Sequence, residues 1–128
     1  MSEMAITFML LVLLLSVSVD LGRAYFSYIA VREATEEGAL YGSINPEDTG
    51  GIIARVRTSS STPVDLADTS FVQVVRSFPG GGQCAGNTLQ VTVTYDFYLI
   101  TPIISSIIGV DHFPISLTAS STILRPEC

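Results

Sequence analysis

The chain contains no lysine and no tryptophan, a single histidine, His112, and only two cysteines. All six positive charges are therefore arginines, and with twelve carboxylates they give a net charge of −6. Such a chain lacks the basic surface that binds phosphate backbones, which excludes a role in nucleic-acid binding. One histidine and two distant cysteines also fall short of the ligand set of a zinc site, so we expect no metal and no cofactor.

Charged residues are scarce too, at 14% of 128 residues, whereas hydrophobic residues make up 48%. A soluble domain carries about a quarter charged residues. The apolar excess is concentrated between Met4 and Val19, sixteen residues without a charge. This length is close to the ~17 residues needed to cross a hydrocarbon core. The segment continues into Asp20-Leu21-Gly22-Arg23 rather than a small-residue cleavage site, which favours an anchor or assembly segment over a secretory signal peptide.

The helical pattern continues beyond the apolar run, from residue 24 to residue 43. This stretch contains no proline, and one helix face recurs at spacings of three and four: Ala24, Tyr28, Val31, Ala34 or Thr35, Gly38, and Tyr41 or Gly42. Asn45 and Pro46 mark its end. We therefore expect one helix over residues 1–43, roughly 60 Å long. A head of residues 44–128 is too small to cover it, so its first half must be buried in lipid or against other copies.

Two charges in this helix are candidates for a role in assembly. Glu3 stands at the mouth of the apolar segment without a positive partner on its own helix, and ionisable residues in such positions are functional by default. Asp20 has Arg23 one turn away, and this pair forms either within one chain or between subunits. The acidic residues farther along, Glu33, Glu36 and Glu37, are more typical of a solvated face than of a cation site.

Residues 44–128 show the signals of a small α+β domain. Thr49 to Thr58 predicts a short amphipathic helix, and Ile100 to Gly109 predicts another, with Pro102 in its first turn and Gly109 as its stop. Three runs predict the strands of an antiparallel sheet: Phe71–Phe78, Thr88–Leu99 and Phe113–Leu124. The second run alternates most clearly, with one face made of Leu89, Val91, Val93, Tyr95 and Phe97 and the other carrying Thr92 and Thr94. The glycine-rich stretch Pro79 to Asn87 predicts the turn between the first two strands.

The two cysteines fit this topology. Cys84 precedes the second strand and Cys128 follows the third, so antiparallel pairing brings them together, and we expect a disulfide that stabilises the head by ~2–4 kcal/mol. Such a bond requires an oxidising compartment.

Thr58 to Pro63 reads as an ordinary polar surface loop. The alternative is an O-glycan-bearing patch, whose candidate positions are Ser59, Ser60, Ser61 and Thr62.

The sequence does not predict a catalytic site. His112 lies beside Asp111 in a segment that reads as a turn, and no nucleophile is marked for a histidine–carboxylate pair. We expect no enzymatic activity and no catalytic residue.

An ordered set of motifs resembles the TadE-like proteins, pilin-like subunits of tight-adherence (Tad) pili in the type IV pilin superfamily. The family pattern is a glutamate before an apolar run, an acidic-x-Gly-Arg motif and an Arg-Glu-Gly-Ala-x-Tyr block. The chain matches it with Glu3, then with Asp20, Gly22 and Arg23, and then with Glu37, Gly38, Ala39 and Tyr41, whereas Glu36 stands where the third block has arginine. The later VTVTYDF, Thr101-Pro102 and LTASSTIL are also similar to the family, so the resemblance extends over nearly the whole chain.

The resemblance implies a structural subunit of an extracellular, pilus-like filament. A positively charged leader would be removed by a prepilin peptidase, and the apolar helix would wait in the inner membrane before the assembly machinery packs it into a homopolymer. Glu3 would neutralise the amino group of a neighbouring subunit, and Asp20, Gly22 and Arg23 would belong to the same assembly site. The alternatives are a minor pseudopilin and a membrane-anchored module of a pilus or secretion apparatus.

Overall fold

The structure of the chain, a computed structural model, describes residues 2–126. Three helices and three strands follow one another as α1 (Ser2–Ile44), α2 (Thr49–Thr58), β1 (Val72–Ser77), β2 (Thr88–Tyr98), α3 (Pro102–Ile108) and β3 (His112–Thr122). The α+β class, the long N-terminal helix and the three-stranded antiparallel sheet predicted from the sequence are confirmed. At 43 residues α1 is about 65 Å long.

The head packs mainly against the second half of α1, and in the first half Asp20 bonds to it. Its buried positions follow the predicted face through Val31, Ala34, Thr35 and Gly38. Tyr28 was assigned to this face wrongly: it is 42% exposed. The prediction followed a spacing of three and four from Ala24 and missed that the buried stripe passes through the small side chain of Ser27 instead, where α1 meets the sheet.

The sheet has the order β1-β2-β3, with both pairs antiparallel. Its central strand β2 alternates as predicted, and the inward side chains Leu89, Val91, Val93 and Phe97 are fully buried. Leu89, Val91 and Val93 pack with the buried residues of α1 and with Ile52 and Val56 of α2 in one hydrophobic core. The division into residues 1–43 and 44–128 stays a prediction, and the packing shows that the second half of α1 shares its core with the head.

Close packing explains one glycine of α1. A Cβ atom at Gly38 would lie 2.5 Å from Cγ2 of Val56 and 3.4 Å from Cγ1 of Val91. Real side chains do not approach so closely, so glycine at this position lets α2 and β2 lie directly against the backbone of α1.

A side-chain cap fixes the start of α2. The carboxylate of Asp48 accepts a hydrogen bond from the backbone N–H of Gly51 at 2.8 Å and another from the hydroxyl of Tyr41 at 2.9 Å. These donors stabilise the charged form, the backbone N–H most strongly, and they lower the pKa of Asp48 below its ordinary value. The cap thus joins α2 to α1 while satisfying one of the unpaired donors of the first turn.

The connection between β2 and β3 contains α3, which ends at Gly109 in the left-handed conformation as the sequence predicts. His112 does not lie in a turn, contrary to expectation, but is the first residue of β3. It pairs with Tyr98 across the strands, and the two rings stack with centroids 5.3 Å apart. Pairing with β2 therefore extends the third strand to His112, one residue before its predicted start at Phe113.

Candidate assembly site

The first half of α1 extends beyond the head as an uncovered apolar cylinder. Its large side chains are between 45% and 80% exposed: Met4, Ile6, Phe8, Met9, Leu10, Leu11, Val12, Leu14, Leu15, Val19 and Leu21. This helix is long and apolar enough to span a membrane, with a mean hydropathy of 2.4 and 6% of the most apolar stretch buried. Helices of this kind also occur as signal sequences and as core helices, but a core helix is mostly buried and this one is not.

The polar side chains within this cylinder are satisfied by the helix itself. Thr7 donates a hydrogen bond to the carbonyl of Glu3 at 2.8 Å, Ser16 to that of Val12 at 2.9 Å, and Ser18 to that of Leu14 at 2.8 Å. No hydroxyl group therefore needs water along this surface, as burial in a membrane or among apolar helices requires.

Glu3 lies in the first turn of α1 and is exposed. Its carboxylate forms no ion pair within residues 2–126, in contrast to Glu36 and Glu37, which pair with Arg32 and Arg55 at 2.9 Å and 3.5 Å. A negative charge in the first turn is favoured by the helix dipole. It remains available to a positive group of another molecule.

Asp20 marks the point where the head is attached to the apolar cylinder. Its side chain is only 3% exposed. Oδ2 accepts a hydrogen bond from the backbone N–H of Thr101 at 3.1 Å and a second from the hydroxyl of Thr101. Thr101 is the residue that precedes α3, and its hydroxyl is used for this bond rather than to cap α3. A residue 81 positions away in the sequence thus closes the junction between α1 and the head.

Arg23 completes this junction. Its Nη1 atom lies 3.6 Å from Oδ1 of Asp20, so the pair expected at i,i+3 forms within the chain. The guanidinium also stacks over the ring of Phe97, with its central carbon 5.3 Å from the ring centroid. Oδ1 and Nη1 make no hydrogen bond with the described residues, so they meet as charges only. A buried carboxylate requires such compensation, because an unpaired one costs several kcal/mol. We call Asp20, Arg23, Phe97 and Thr101 the helix–head junction.

Gly22 lies next to this junction and, unlike Gly38, is not required by close packing within the described residues. A Cβ atom at Gly22 would meet nothing within 4 Å. Glycine within a helix costs about 0.5–1 kcal/mol relative to alanine, and nothing in the described fold requires it here.

Cys84 is not a free cysteine, whereas Cys128 lies outside the described residues, so the Cys84–Cys128 bridge stays a prediction. The expected geometry is supported by the neighbouring backbone: the N–H of Ala85 donates to the carbonyl of Pro126 at 2.7 Å, and that of Gly86 to Ile123 at 2.9 Å.

The candidate glycosylation patch divides into two halves. The hydroxyls of Ser59 and Ser60 donate to the carbonyls of Val56 and Val64 at 2.7 and 3.1 Å and so hold the loop after α2. Ser61 and Thr62 are exposed. Among the described residues no group of three or more histidine, cysteine or carboxylate side chains is arranged to hold a metal ion.

Sequence reasoning missed Thr101 and Phe97 as members of the junction. Thr101-Pro102 had been noted only as part of a resemblance, and Phe97 only as an inward residue of β2. A signal was nevertheless present, because a carboxylate at the end of an apolar run requires several donors and Arg23 supplies only one charge.

Among known protein families, a match is found for the N-terminal part of the chain. Residues 1–40 match the family model described as TadE-like protein, whereas the later motifs noted in the sequence lie outside that match. No curated protein and no solved structure matches the chain. The matched segment contains Glu3, the apolar cylinder, and Asp20, Gly22 and Arg23, which are the features that the geometry singles out. The resemblance stated from the sequence is thereby confirmed for residues 1–40, and this segment of the chain is similar to TadE-like proteins.

Proposed function

We propose that the chain is a structural subunit of an extracellular, pilus-like helical filament and polymerises through the first half of α1. The observation that carries this proposal is the exposed apolar cylinder: eleven large hydrophobic side chains between Met4 and Leu21 are uncovered, although the second half of α1 and the head bury a core together. Water is an unfavourable environment for such a surface, at about 25 cal/mol per Å². Lipid covers it before assembly, and the helices of neighbouring copies cover it afterwards.

The junction gives the residues of the matched segment separate roles in this proposal. Asp20 and Arg23 serve the chain itself, since they hold the head at a fixed place on the helix. Glu3 serves contacts between chains, where its carboxylate pairs with a positive group of a neighbouring subunit, such as its amino group. Gly22, which nothing in its own chain constrains, allows the close approach of a neighbouring helix.

The proposal includes the partners and the location expected from the sequence. The precursor lies in the inner membrane, a prepilin peptidase and the pilus assembly machinery process and extract it, and the product is a homopolymer at the cell surface without enzymatic activity. The exposed hydroxyls of Ser61 and Thr62 are the accessible candidates for O-glycosylation.

A second candidate is a minor pseudopilin or a membrane-anchored module of the same apparatus. The observation that favours it is that the head, with its three-stranded sheet, already packs its core against the second half of the chain's own α1. In that role Glu3 is less important, because a solitary anchor needs no partner for its charge.

Electron cryo-microscopy of material sheared from cells separates the two candidates. A filament built of this chain, with residues 3–21 in its core, supports the repeating subunit. The variant Glu3→Gln should abolish such filaments, whereas the control Glu47→Gln, which removes an exposed head carboxylate, should leave them intact. If sheared filaments lack the chain and it remains in the detergent-soluble membrane fraction with or without Glu3, the anchor or minor-subunit role replaces the first.

A further inference from the structure

A second apolar surface lies on the head, around α3. The segment Leu99 to Val110 contains no charged residue. Four of its large side chains are between 44% and 78% exposed, and we call them the isoleucine rim: Ile100, Ile107, Ile108 and Val110. A concentration of exposed apolar side chains on a small domain marks a contact surface rather than a solvated one.

The helix–head junction fixes the height of this rim along α1. Because Thr101 is bonded to Asp20, Ile100 lies beside the last turns of the apolar cylinder and not above them. An open groove of about 290 Å³ runs between the two surfaces, lined by Ile100 and Thr101 on one side and by Val12, Leu15, Ser16 and Val19 on the other. Val12 and Asp20 are eight residues, or about 12 Å, apart along the helix axis. Through Ile100, the rim therefore begins beside the end of the apolar run.

The apolar run is short for a membrane-spanning segment. Sixteen residues between Glu3 and Asp20 span about 24 Å, whereas the hydrocarbon core of a bilayer is about 30 Å thick. A hydrophobic segment that is too short leaves a mismatch of a few Å. Apolar surface of the head beside the end of this run, at the level of Asp20, therefore lies within reach of the acyl chains.

Polar groups around the rim are arranged as contact with lipid requires. Ser105 and Ser106, the polar residues of α3, both donate their hydroxyls to the carbonyl of Pro102, at 2.9 and 2.7 Å. The same arrangement satisfies the hydroxyls of the apolar cylinder. Next to the rim, the exposed aromatic rings of Phe71 and Tyr98 pack edge to face at 5.4 Å. Amphipathic rings such as that of Tyr98 are enriched at the boundary between lipid and water.

We propose that the isoleucine rim is a lipid contact: in the membrane-inserted stage it lies among the upper acyl chains, so that the head rests in the bilayer surface instead of standing clear of it. Continuity with the apolar cylinder and the lack of charge favour lipid as the occupant over a second protein. This inference rests on the membrane-inserted stage of the proposed function. It extends that stage, because it gives the head itself a part in membrane binding, at the shallow depth typical of interfacial helices.

The absence of tryptophan makes a direct test available, since any introduced tryptophan is the sole indole fluorophore. The full chain is reconstituted into phosphatidylcholine vesicles in three forms: Ile107→Trp on the rim, Leu11→Trp in the middle of the apolar cylinder, and Val75→Trp on an exposed part of β1. All three positions are more than half exposed, so the fold should accept the larger ring. Quenching is measured with lipids brominated either near the headgroup or deep in the acyl chain.

The expected result is blue-shifted emission of I107W that is quenched mainly by the shallow bromines. L11W should be quenched mainly by the deep bromines, and V75W by neither. Quenching of L11W alone would overturn the lipid contact but not the membrane-inserted stage. A blue shift of I107W that appears only in filaments would also overturn the lipid contact, because the rim would then contact a neighbouring copy. If neither I107W nor L11W is quenched, the membrane-inserted stage itself is wrong.

Discussion

Thr101→Val removes one hydroxyl from the helix–head junction while the side chain keeps its size and branching. The lost hydroxyl is a donor to the carboxylate of Asp20, which is 3% exposed and keeps only the backbone N–H of Thr101 and the charge of Arg23. Hydrogen bonds to charged groups contribute about 1.5–3 kcal/mol, and the buried acceptor finds no water in exchange. We therefore expect the free energy of unfolding to fall by about 2 kcal/mol, which lowers the Tm of a domain of this size by roughly 8–16 °C.

The measurement is thermal unfolding of the full chain in detergent micelles, followed by the near-ultraviolet circular dichroism of the tyrosines in the head. Thr118→Val is the matched control, because Thr118 loses only an exposed hydrogen bond to Thr92, 2.8 Å long, on the outer face of the sheet. That variant should change stability by less than about 0.5 kcal/mol. If T101V and T118V unfold at the same temperature, the hydroxyl of Thr101 does not hold the junction and the reasoning fails.

Three further variants and one alkylation experiment test other parts of the structure, the variants by their unfolding stability and the alkylation by the mass of the chain. Gly22→Ala should raise the free energy of unfolding by about 0.5–1 kcal/mol and yet weaken any polymer. Gly38→Ala should lower the free energy of unfolding by about 1–3 kcal/mol, because the added methyl group overlaps α2. Equal effects of the two variants on stability would contradict the packing. The pKa of Asp48 is lowered in the folded chain, so the stabilising effect of its carboxylate is present above about pH 4 and is lost as the pH falls through the pKa of the folded state. Asp48→Asn should therefore flatten the acid limb of a plot of unfolding free energy against pH. An unchanged acid limb would refute this. Alkylation without reductant should leave the mass unchanged if Cys84 and Cys128 are bonded, and two alkylated thiols would disprove the bridge.

Most of the fold was predictable because its local signals agree with one another. The period-two alternation of Leu89, Val91 and Val93 fixed both the central strand and its buried face, and Pro102 with Gly109 marked the limits of α3 to within two residues. The errors arose where tertiary contacts decide. Tyr28 was misplaced because the buried stripe of α1 depends on where the sheet packs, and His112 joined β3 because pairing with Tyr98 extends the strand.

The candidate site was predictable only along the helix. Glu3, Asp20 and Arg23 could be selected because charges at the edges of an apolar run are conspicuous, and the Asp20–Arg23 pair is a matter of helical spacing. Thr101 could not be found in this way, since it lies 81 residues from Asp20 and no periodicity relates the two. The same contact determines where α3 lies, so the isoleucine rim was also beyond a reading of the sequence.

The bond between Asp20 and Thr101 has a geometric consequence for any polymer of this chain. Successive residues of an α-helix point in directions about 100° apart. Attachment at residue 20 therefore sets the azimuth of the head around the helix axis, and attachment one residue earlier or later would swing the head through more than a quarter of a turn. In a filament whose core is made of parallel helices, this contact and the core shared by α1 and the head decide which side of the head faces outward and which side meets the next subunit. A change of the attachment residue would therefore remodel the outer surface of the filament even if its core remained the same.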